Sequence, residues 1–176
     1  NADTSYLFCV DTHQQRLKTV FHRCPPMGGV LLTPARLREF QRILFGDDVF
    51  DCDIDINKPI IEQLPSTLNY DQCSRILNGI GLTSVPCWIR PYNTLSNGQQ
   101  ARALAAYLLS KQDDIVCIDE WTSVVDRTVA KAMSVCVNKF TRNNNKRIIL
   151  CSCHYDIIEW VKPDWIIDCN KQQFQL

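Results

Sequence analysis

Short apolar runs alternate with helix-like segments in the second half of the chain, and this pattern strongly constrains the fold. "IVCI" at 115–118, "RIILCSC" at 147–153 and "DWIIDC" at 164–169 are separated by "DRTVAKAMSVCVNKF" and "YDIIEWV", which have helical periodicity. Continuous apolar runs of this length are typical of strands buried on both faces, and helical crossovers connect parallel strands. The order predicts an α/β fold in which a mostly parallel sheet is flanked by helices.

The first half of the chain predicts smaller elements. "SYLFCVDTHQQRLKTVFHRCPP" predicts a small antiparallel part with two strands, and "TPARLREFQRILFG" predicts a helix with Thr33 as N-cap and Pro34 at its first position. "DDVFDCDIDINKP" alternates apolar and acidic residues, which predicts a half-exposed strand. "YDQCSRILNGIGL" predicts a short helix with a glycine stop, whereas "TSVPCWIRPY", with two prolines, predicts a loop.

Length, composition and charge are those of a single globular domain. The 176 residues are 45% hydrophobic and 22% charged. Lys plus Arg equals Asp plus Glu at 19 each, so nucleic acid is not indicated as a partner. No apolar run approaches the roughly 20 residues of a membrane span, and the first residues lack a signal-peptide pattern. We therefore expect a cytoplasmic domain with three parts: N-terminal strands and first helix at 1–58, a helical subdomain and the next helix at 59–110, and the alternating strands at 111–176.

Ten cysteines are scattered along the chain without a CxxC pair. A reducing compartment and mostly free thiols are expected, because disulfide frameworks belong to small secreted domains and buried cysteine behaves as a small hydrophobe. Cys151, Cys153 and His154 raise the alternative of zinc. No second ligand pair with zinc spacing accompanies them, which argues against it.

Titratable side chains follow two of the predicted strands. Asp119 and Glu120 end the strand at 115–118, and His154 lies just beyond "RIILCSC". The carboxyl ends of neighbouring parallel strands share one edge of a sheet, so these side chains are expected in one crevice. Asp119 could hold magnesium, Glu120 could orient or deprotonate a water, and His154 could hydrogen-bond a terminal phosphate. Taken singly, the acidic pair could instead begin a helix and the histidine could be a packing residue.

"NTLSNGQQARALAAYLL" places a small polar turn directly before a strong helix, predicted from Gln99 to about Ser110. Ser96 is expected to cap a helix that begins near Gly98, where free N–H groups and the helix dipole favour an anion. Glycine would let a phosphate approach the backbone closely. An ordinary helix cap is the plainer alternative for this stretch.

The order of these pieces resembles the distal half of an ATP-binding-cassette (ABC) ATPase. "LSNGQ" is similar to the family signature LSGGQ, with Asn97 in place of the first glycine. The resemblance covers about 59–168. The matching segments are, in order, the signature at 95–99, the Walker B strand at 115–119, the catalytic glutamate Glu120, the D-loop at 123–126 and the switch histidine His154.

The resemblance implies an ABC-type ATPase whose ATP is sandwiched between two copies, or between this chain and a second ABC-type domain, with Mg²⁺ as cofactor. The resemblance implies that Ser96 and Gly98 contact the γ-phosphate across the dimer, within a binding segment that also includes Asn97 and Gln99. It implies that Asp119 binds magnesium, that Glu120 acts on the attacking water and that His154 contacts the γ-phosphate. Asp126 would contact the other copy across the dimer. Within the family, the chain looks most like soluble non-transporter members found near acetyltransferase domains, which implies a fused or associated partner domain. Trp121 stands where transporter ATPases usually have proline.

The phosphate-binding P-loop of the family is missing from the sequence. Nothing reads G-x-x-x-x-G-K-[ST], and only Thr33 and Pro34 separate the predicted strand "GGVLLT" from the helix that follows. Gln63 stands only roughly where the family has its Q-loop glutamine. Three explanations stay open: a degenerate ATPase, a natural or engineered deletion, or a loop that the sequence omits. The alternatives to an ATPase are a catalytically inactive interaction module with the same fold and, third, a transporter subunit.

Overall fold

The computed structural model of the chain describes residues 6–10, 53–111, 115–118, 121–168 and 173–175. The second N-terminal strand, the strand at 28–33 and the helix at 33–46 that the sequence predicts lie outside the described residues. The described elements are, in chain order, β1 (Tyr6–Val10), α1 (Ile60–Gln63), α2 (Tyr70–Gly79), α3 (Val85–Trp88), a 3-10 turn (Tyr92–Thr94), α4 (Asn97–Ser110), β2 (Ile115–Ile118), α5 (Arg127–Asn143), β3 (Arg147–Ser152), α6 (Ile157–Val161), β4 (Trp165–Asp168) and β5 (Gln173–Gln175).

The described strands form one sheet in the order β2-β3-β1-β4-β5. β2 and β3 pair in parallel, from Ile115 opposite Arg147 to Ile118 opposite Leu150, with α5 as the helical crossover between them. β1 is antiparallel to both β3 and β4, and β5 is antiparallel to β4. The prediction of a mostly parallel sheet is therefore wrong for the described pairs. The alternation in the second half fixes how β2 and β3 are connected, but it carries no information on a strand that comes from the other end of the chain.

The helices cover the sheet with apolar faces that the sequence predicts only in part. All six residues of β3 are buried, as its apolar composition predicts. On α5, Met133 is fully buried, whereas the neighbouring Ala132 is exposed. The buried stripe of α5 consists of Ala130, Met133, Ser134, Val137 and Thr141.

One hydrophobic cluster extends from the helical segment at 60–82 to the sheet. Ile60, Leu77 and Ile80 on the helical side are fully buried, as are Ile148 and Leu150 in β3. The cores of the two regions are thus continuous. In the described parts of the chain, no helix has both the length and the apolar character to cross a membrane.

Helix α2 begins and ends close to where the sequence predicts. The Asn69 side chain accepts a hydrogen bond from the Gln72 N–H while Gln72 Oε1 accepts one from the Asn69 N–H, which closes a capping box. After the helix, Gly81 takes a φ of +86°, a conformation that glycine adopts without steric cost. The predicted glycine stop is confirmed.

The segment predicted as a proline-containing loop contains the short helix α3. Pro86 lies in the first turn of this helix, where the missing N–H would have no intrahelical acceptor. Trp88 is 2% exposed and donates from Nε1 to the Leu82 carbonyl at 2.7 Å. Burial of this indole stabilises a helical turn that local sequence preferences do not favour.

Where the end of the acidic strand is predicted, residues 53–55 have no regular structure and the chain turns at 56–58. Asp55 accepts a hydrogen bond from the Asn57 N–H at 3.0 Å, a local interaction that favours turns. The Gln63 side chain accepts from the Asp55 N–H and donates to the Asp55 and Lys58 carbonyls. Gln63 therefore stabilises this turn, and its amide is already used by the protein backbone.

Candidate functional site

The N-terminus of α4 has the geometry of a capped and open helix start. Ser96 Oγ accepts a long hydrogen bond of 3.4 Å from the Gln99 N–H, and the Ser96 N–H donates to Gln99 Oε1 at 3.0 Å. The capping role predicted for Ser96 is confirmed. Ser96 and Asn97 are exposed, and the N–H groups of Asn97 and Gly98 have no acceptor within the described ranges. Among the described residues, two unpaired donors therefore lie at the positive end of this helix dipole.

Gly98 has a packing role that the sequence interpretation missed. A Cβ atom built on Gly98 would lie 3.0 Å from Cγ1 of Val129, which is closer than almost all real Cβ contacts. The side of Gly98 that lacks a side chain thus faces α5, although glycine was predicted there for the approach of a phosphate. The glycine allows the first turns of α4 and α5 to come into contact.

Asp126, the predicted D-loop residue, is the N-cap of α5. Its Oδ1 accepts hydrogen bonds from the N–H groups of Thr128 and Val129, at 2.9 and 3.0 Å. The residue is exposed. Because Val129 also contacts Gly98, the first turns of two capped helices lie side by side on one surface.

The ends of β2 and β3 are linked by hydrogen bonds around Trp121. The Trp121 N–H donates to the Cys151 carbonyl at 2.7 Å, and Ser152 Oγ donates to the Trp121 carbonyl at 2.9 Å. Ser152 Oγ also accepts the N–H of His154, at 3.2 Å. Trp121 and His154, which lie 33 positions apart in the chain, are therefore bound to the same hydroxyl group.

His154 is half-buried at the carboxyl end of β3. Among the residues that the structure describes, no hydrogen-bond partner of its imidazole is present. An imidazole in this state can donate to or accept from a ligand. The placement predicted for His154, directly after a buried strand, is confirmed.

Asp119 and Glu120 lie outside the described residues, so their roles stay predictions. The described chain stops at Ile118 in β2 and resumes at Trp121. Since β2 and β3 are parallel neighbours, Ile118 and Ser152 end their strands at the same edge of the sheet. In the chain, His154 comes shortly after the end of β3, and Asp119 and Glu120 come directly after the end of β2.

Arg127 connects the start of α5 to the turn behind His154. Its guanidinium forms two hydrogen bonds with the Asp156 carboxylate, and its Nε lies 2.9 Å from Asp156 Oδ2. The same guanidinium lies over the Trp160 ring, 5.3 Å from its centroid. The segments around Asp126 and His154 are thus joined by a bidentate ion pair. Nothing in the sequence pattern singled out Arg127 or Asp156, since the pair spans 29 positions.

Thr122, next to Trp121, has an unusual conformation and environment. Its φ is 66°, which is uncommon for a β-branched residue, and it is 4% exposed. Its hydroxyl has no hydrogen-bond partner in the described part of the chain. The start of the 121–126 turn is therefore held in place by its surroundings, not by local preference.

Six of the cysteines in the described ranges are free thiols: Cys73, Cys87, Cys117, Cys136, Cys151 and Cys153. Cys117 and Cys151 are buried in the sheet, which confirms that they behave as small hydrophobes, and burial raises the pKa of the Cys117 thiol to about 12. Cys153 is exposed. Over the described ranges, no group of three or more potential metal ligands is present.

Comparison with known proteins gives matches at the level of fold. No known family model matches the sequence, and no curated protein matches it. A metal-chelate-type ABC transporter in an inward-facing conformation superposes with a TM-score of 0.50 at 14% identity, over 72% of this chain and 55% of that chain. A dimeric bacterial ABC transporter cassette matches with a TM-score of 0.44 at 17% identity, over 57% of this chain and 45% of that chain.

The superposition on the metal-chelate-type transporter shows an ABC ATPase-like α/β fold. The chain spans about half the length of the two solved proteins that it matches. The predicted fold class is thereby confirmed at this coarse level.

Proposed function

We propose that the chain is the signature-bearing part of a soluble ABC-type ATPase that binds ATP with Mg²⁺, associates with a second copy or a second ABC-type domain, and hydrolyses the nucleotide. The observation that carries the proposal is the exposed first turn of α4. Its Asn97 and Gly98 N–H groups lack acceptors among the described residues, and the Gly98–Val129 contact holds it beside Asp126. Free helix N-terminal donors suit phosphate oxygens.

The roles proposed for the site residues follow their positions. Ser96, Asn97, Gly98 and Gln99 would bind the γ-phosphate of ATP held by the other copy, and Asp126 would contact that copy. Asp119 would hold Mg²⁺, which would neutralise phosphate charge. Glu120 would activate water, and His154, whose imidazole has no hydrogen-bond partner among the described residues, would contact the γ-phosphate.

The sharpest test separates helix capping from phosphate binding at one position. Aspartate is as good an N-cap as serine, so Ser96→Asp is expected to leave the thermal stability nearly unchanged. Its negative charge would repel a phosphate. We expect ATP-dependent association, measured by light scattering, to disappear in Ser96→Asp and to persist in the matched control Ser96→Thr. Undiminished association of Ser96→Asp would reject the proposed contact.

A catalytically inactive module is the second candidate, and the missing P-loop favours it. Without the glycine-rich loop and its lysine, the chain lacks its own groups for the β- and γ-phosphates. Such a module would keep the exposed signature turn and use it only for association. Measurable ATP hydrolysis by the purified protein, abolished in Glu120→Gln, would exclude this candidate.

Transport is the third candidate. The two solved proteins that the chain resembles are described as an ABC transporter and a transporter cassette, but at 14% and 17% identity they support only a shared fold. Trp121, where transporter ATPases usually have proline, favours the non-transporter type. We also propose an associated partner domain, and that residues 1–176 form a single cytoplasmic domain. Co-purification with a membrane subunit would favour transport instead.

A further inference from the structure

Trp121 is held from three directions at the point where the chain leaves Glu120. Its main-chain N–H donates to the Cys151 carbonyl at 2.7 Å, and its carbonyl accepts from Ser152 Oγ at 2.9 Å. Its indole Nε1 donates to Ser134 Oγ on α5 at 2.9 Å. Trp121 is 2% exposed and Ser134 is fully buried. The residue after Glu120 therefore has little freedom to move relative to β3 and α5.

The Ser152 hydroxyl uses both its donor and an acceptor position. It donates to the Trp121 carbonyl and accepts the His154 N–H, and Ser152 is 3% exposed. Loss of this hydroxyl would leave a carbonyl and an N–H group without these partners. An unsatisfied buried polar group destabilises its local conformation, so both segments would be released together.

We propose that Ser152 is a positioning residue: its hydroxyl sets the spacing between the segment that follows Glu120 and the backbone of His154. For catalysis this inference rests on the proposed ATPase function, while the coupling of the two segments is a property of the protein without nucleotide. Ser152 itself contacts neither nucleotide nor metal in this scheme. It acts by keeping the water-activating and phosphate-contacting groups in register.

The coupling is tested first by hydrogen exchange of single amides, measured by NMR without nucleotide. In the unmodified protein, we expect the Trp121 and His154 amides to exchange with opening constants within about twofold of each other, as one cooperative unit. In Ser152→Ala, both should exchange about tenfold faster. Unrelated exchange of the two amides in the unmodified protein, or acceleration of His154 alone in Ser152→Ala, would overturn the proposal. The first of these results needs no variant and holds even if Ser152→Ala folds poorly.

Ser110→Ala is the matched control. Ser110 is 7% exposed, and its hydroxyl donates to the Tyr107 carbonyl at 2.6 Å, at the end of α4. This substitution also removes a buried hydroxyl with one carbonyl partner but touches neither segment. The Trp121 and His154 amides should exchange at the unmodified rates in Ser110→Ala. They should also exchange at close to the unmodified rates in Ser152→Thr, which retains the hydroxyl at position 152.

The catalytic part is tested by steady-state ATP hydrolysis of the same proteins. Ser152→Ala should lower kcat at least about tenfold with the KM for ATP within about twofold, and Ser152→Thr should recover most of kcat. A decrease in kcat for Ser152→Ala no larger than the decrease for Ser110→Ala would overturn the positioning role. If the unmodified protein does not hydrolyse ATP, the proposed ATPase function fails, and the exchange experiment then decides the coupling by itself.

Discussion

Gly98 lies against Val129, and this contact joins the first turn of α4 to the first turn of α5. A Cβ atom on Gly98 would lie 3.0 Å from Val129 Cγ1. Valine in a helix strongly prefers one side-chain rotamer, so Val129 cannot easily turn away. The contact therefore fixes the distance between the exposed signature turn and the cap residue Asp126.

Gly98→Ala should destabilise the protein by about 1 kcal/mol, because overpacking outweighs the small gain in helix propensity in a first turn. In the double variant Gly98→Ala/Val129→Ala, the methyl group added at position 98 would have room, so the destabilisation by overpacking should disappear. Urea unfolding of the two single variants and the double variant measures the coupling. Strict additivity would contradict the packing role of Gly98.

The Arg127–Asp156 pair should contribute modestly to stability. The two side chains are 40% and 45% exposed, so solvent screens their attraction even though the guanidinium binds the carboxylate with two hydrogen bonds. We expect a coupling free energy of about 0.5–1 kcal/mol in a cycle of Arg127→Ala and Asp156→Ala. This coupling should decrease in high salt. A coupling that salt does not change would argue against an electrostatic origin.

The cysteine environments predict selective labelling. Cys153 is exposed, whereas Cys117 is 4% exposed and burial raises the pKa of its thiol to about 12. Because the thiolate is the reactive species, iodoacetamide at about pH 8 should modify Cys153 at least ~100-fold faster than Cys117. Peptide mapping by mass spectrometry measures the two rates. Comparable rates would contradict the burial of Cys117.

The same pKa shift predicts how stability depends on pH. The pKa of Cys117 is raised above its ordinary value of 9.0, so the unfolded chain loses this proton before the folded protein does. Cys117 should therefore not alter the pH dependence below about pH 8, and its contribution should fall as the pH rises from about 9 towards 12. Between about pH 8 and 10, Cys117→Val should lose less of its free energy of unfolding than the unmodified protein. An equal loss would mean that Cys117 does not titrate on unfolding.

The sequence predicts those parts of the candidate site whose geometry depends on residues close together in the chain. The cap role of Ser96 needs only the local helix start, so the sequence predicted it correctly, although the reciprocal bond from Gln99 that completes the capping box was not predicted. His154 after β3 followed from the apolar run before it. The contacts of Trp121 with Ser152 and of Gly98 with Val129 each span 31 positions, and no local pattern reports such contacts.

The errors in the fold have the same origin. β1 lies between β3 and β4 and antiparallel to both, and this position is set by long-range packing. The helix α3 forms where the sequence predicted a loop, and it buries Trp88. Both depend on the completed core, and turn and helix preferences within a few residues do not contain that information.

The molar mass of Glu120→Gln with and without Mg-ATP, measured by light scattering, tests the central claim most directly. Removal of the water-activating carboxylate should stop hydrolysis and leave ATP bound between two copies. The account predicts twice the monomer mass with Mg-ATP, and the monomer mass without nucleotide or in Glu120→Gln/Ser96→Asp. A monomer at saturating Mg-ATP, with no bound nucleotide, would contradict it.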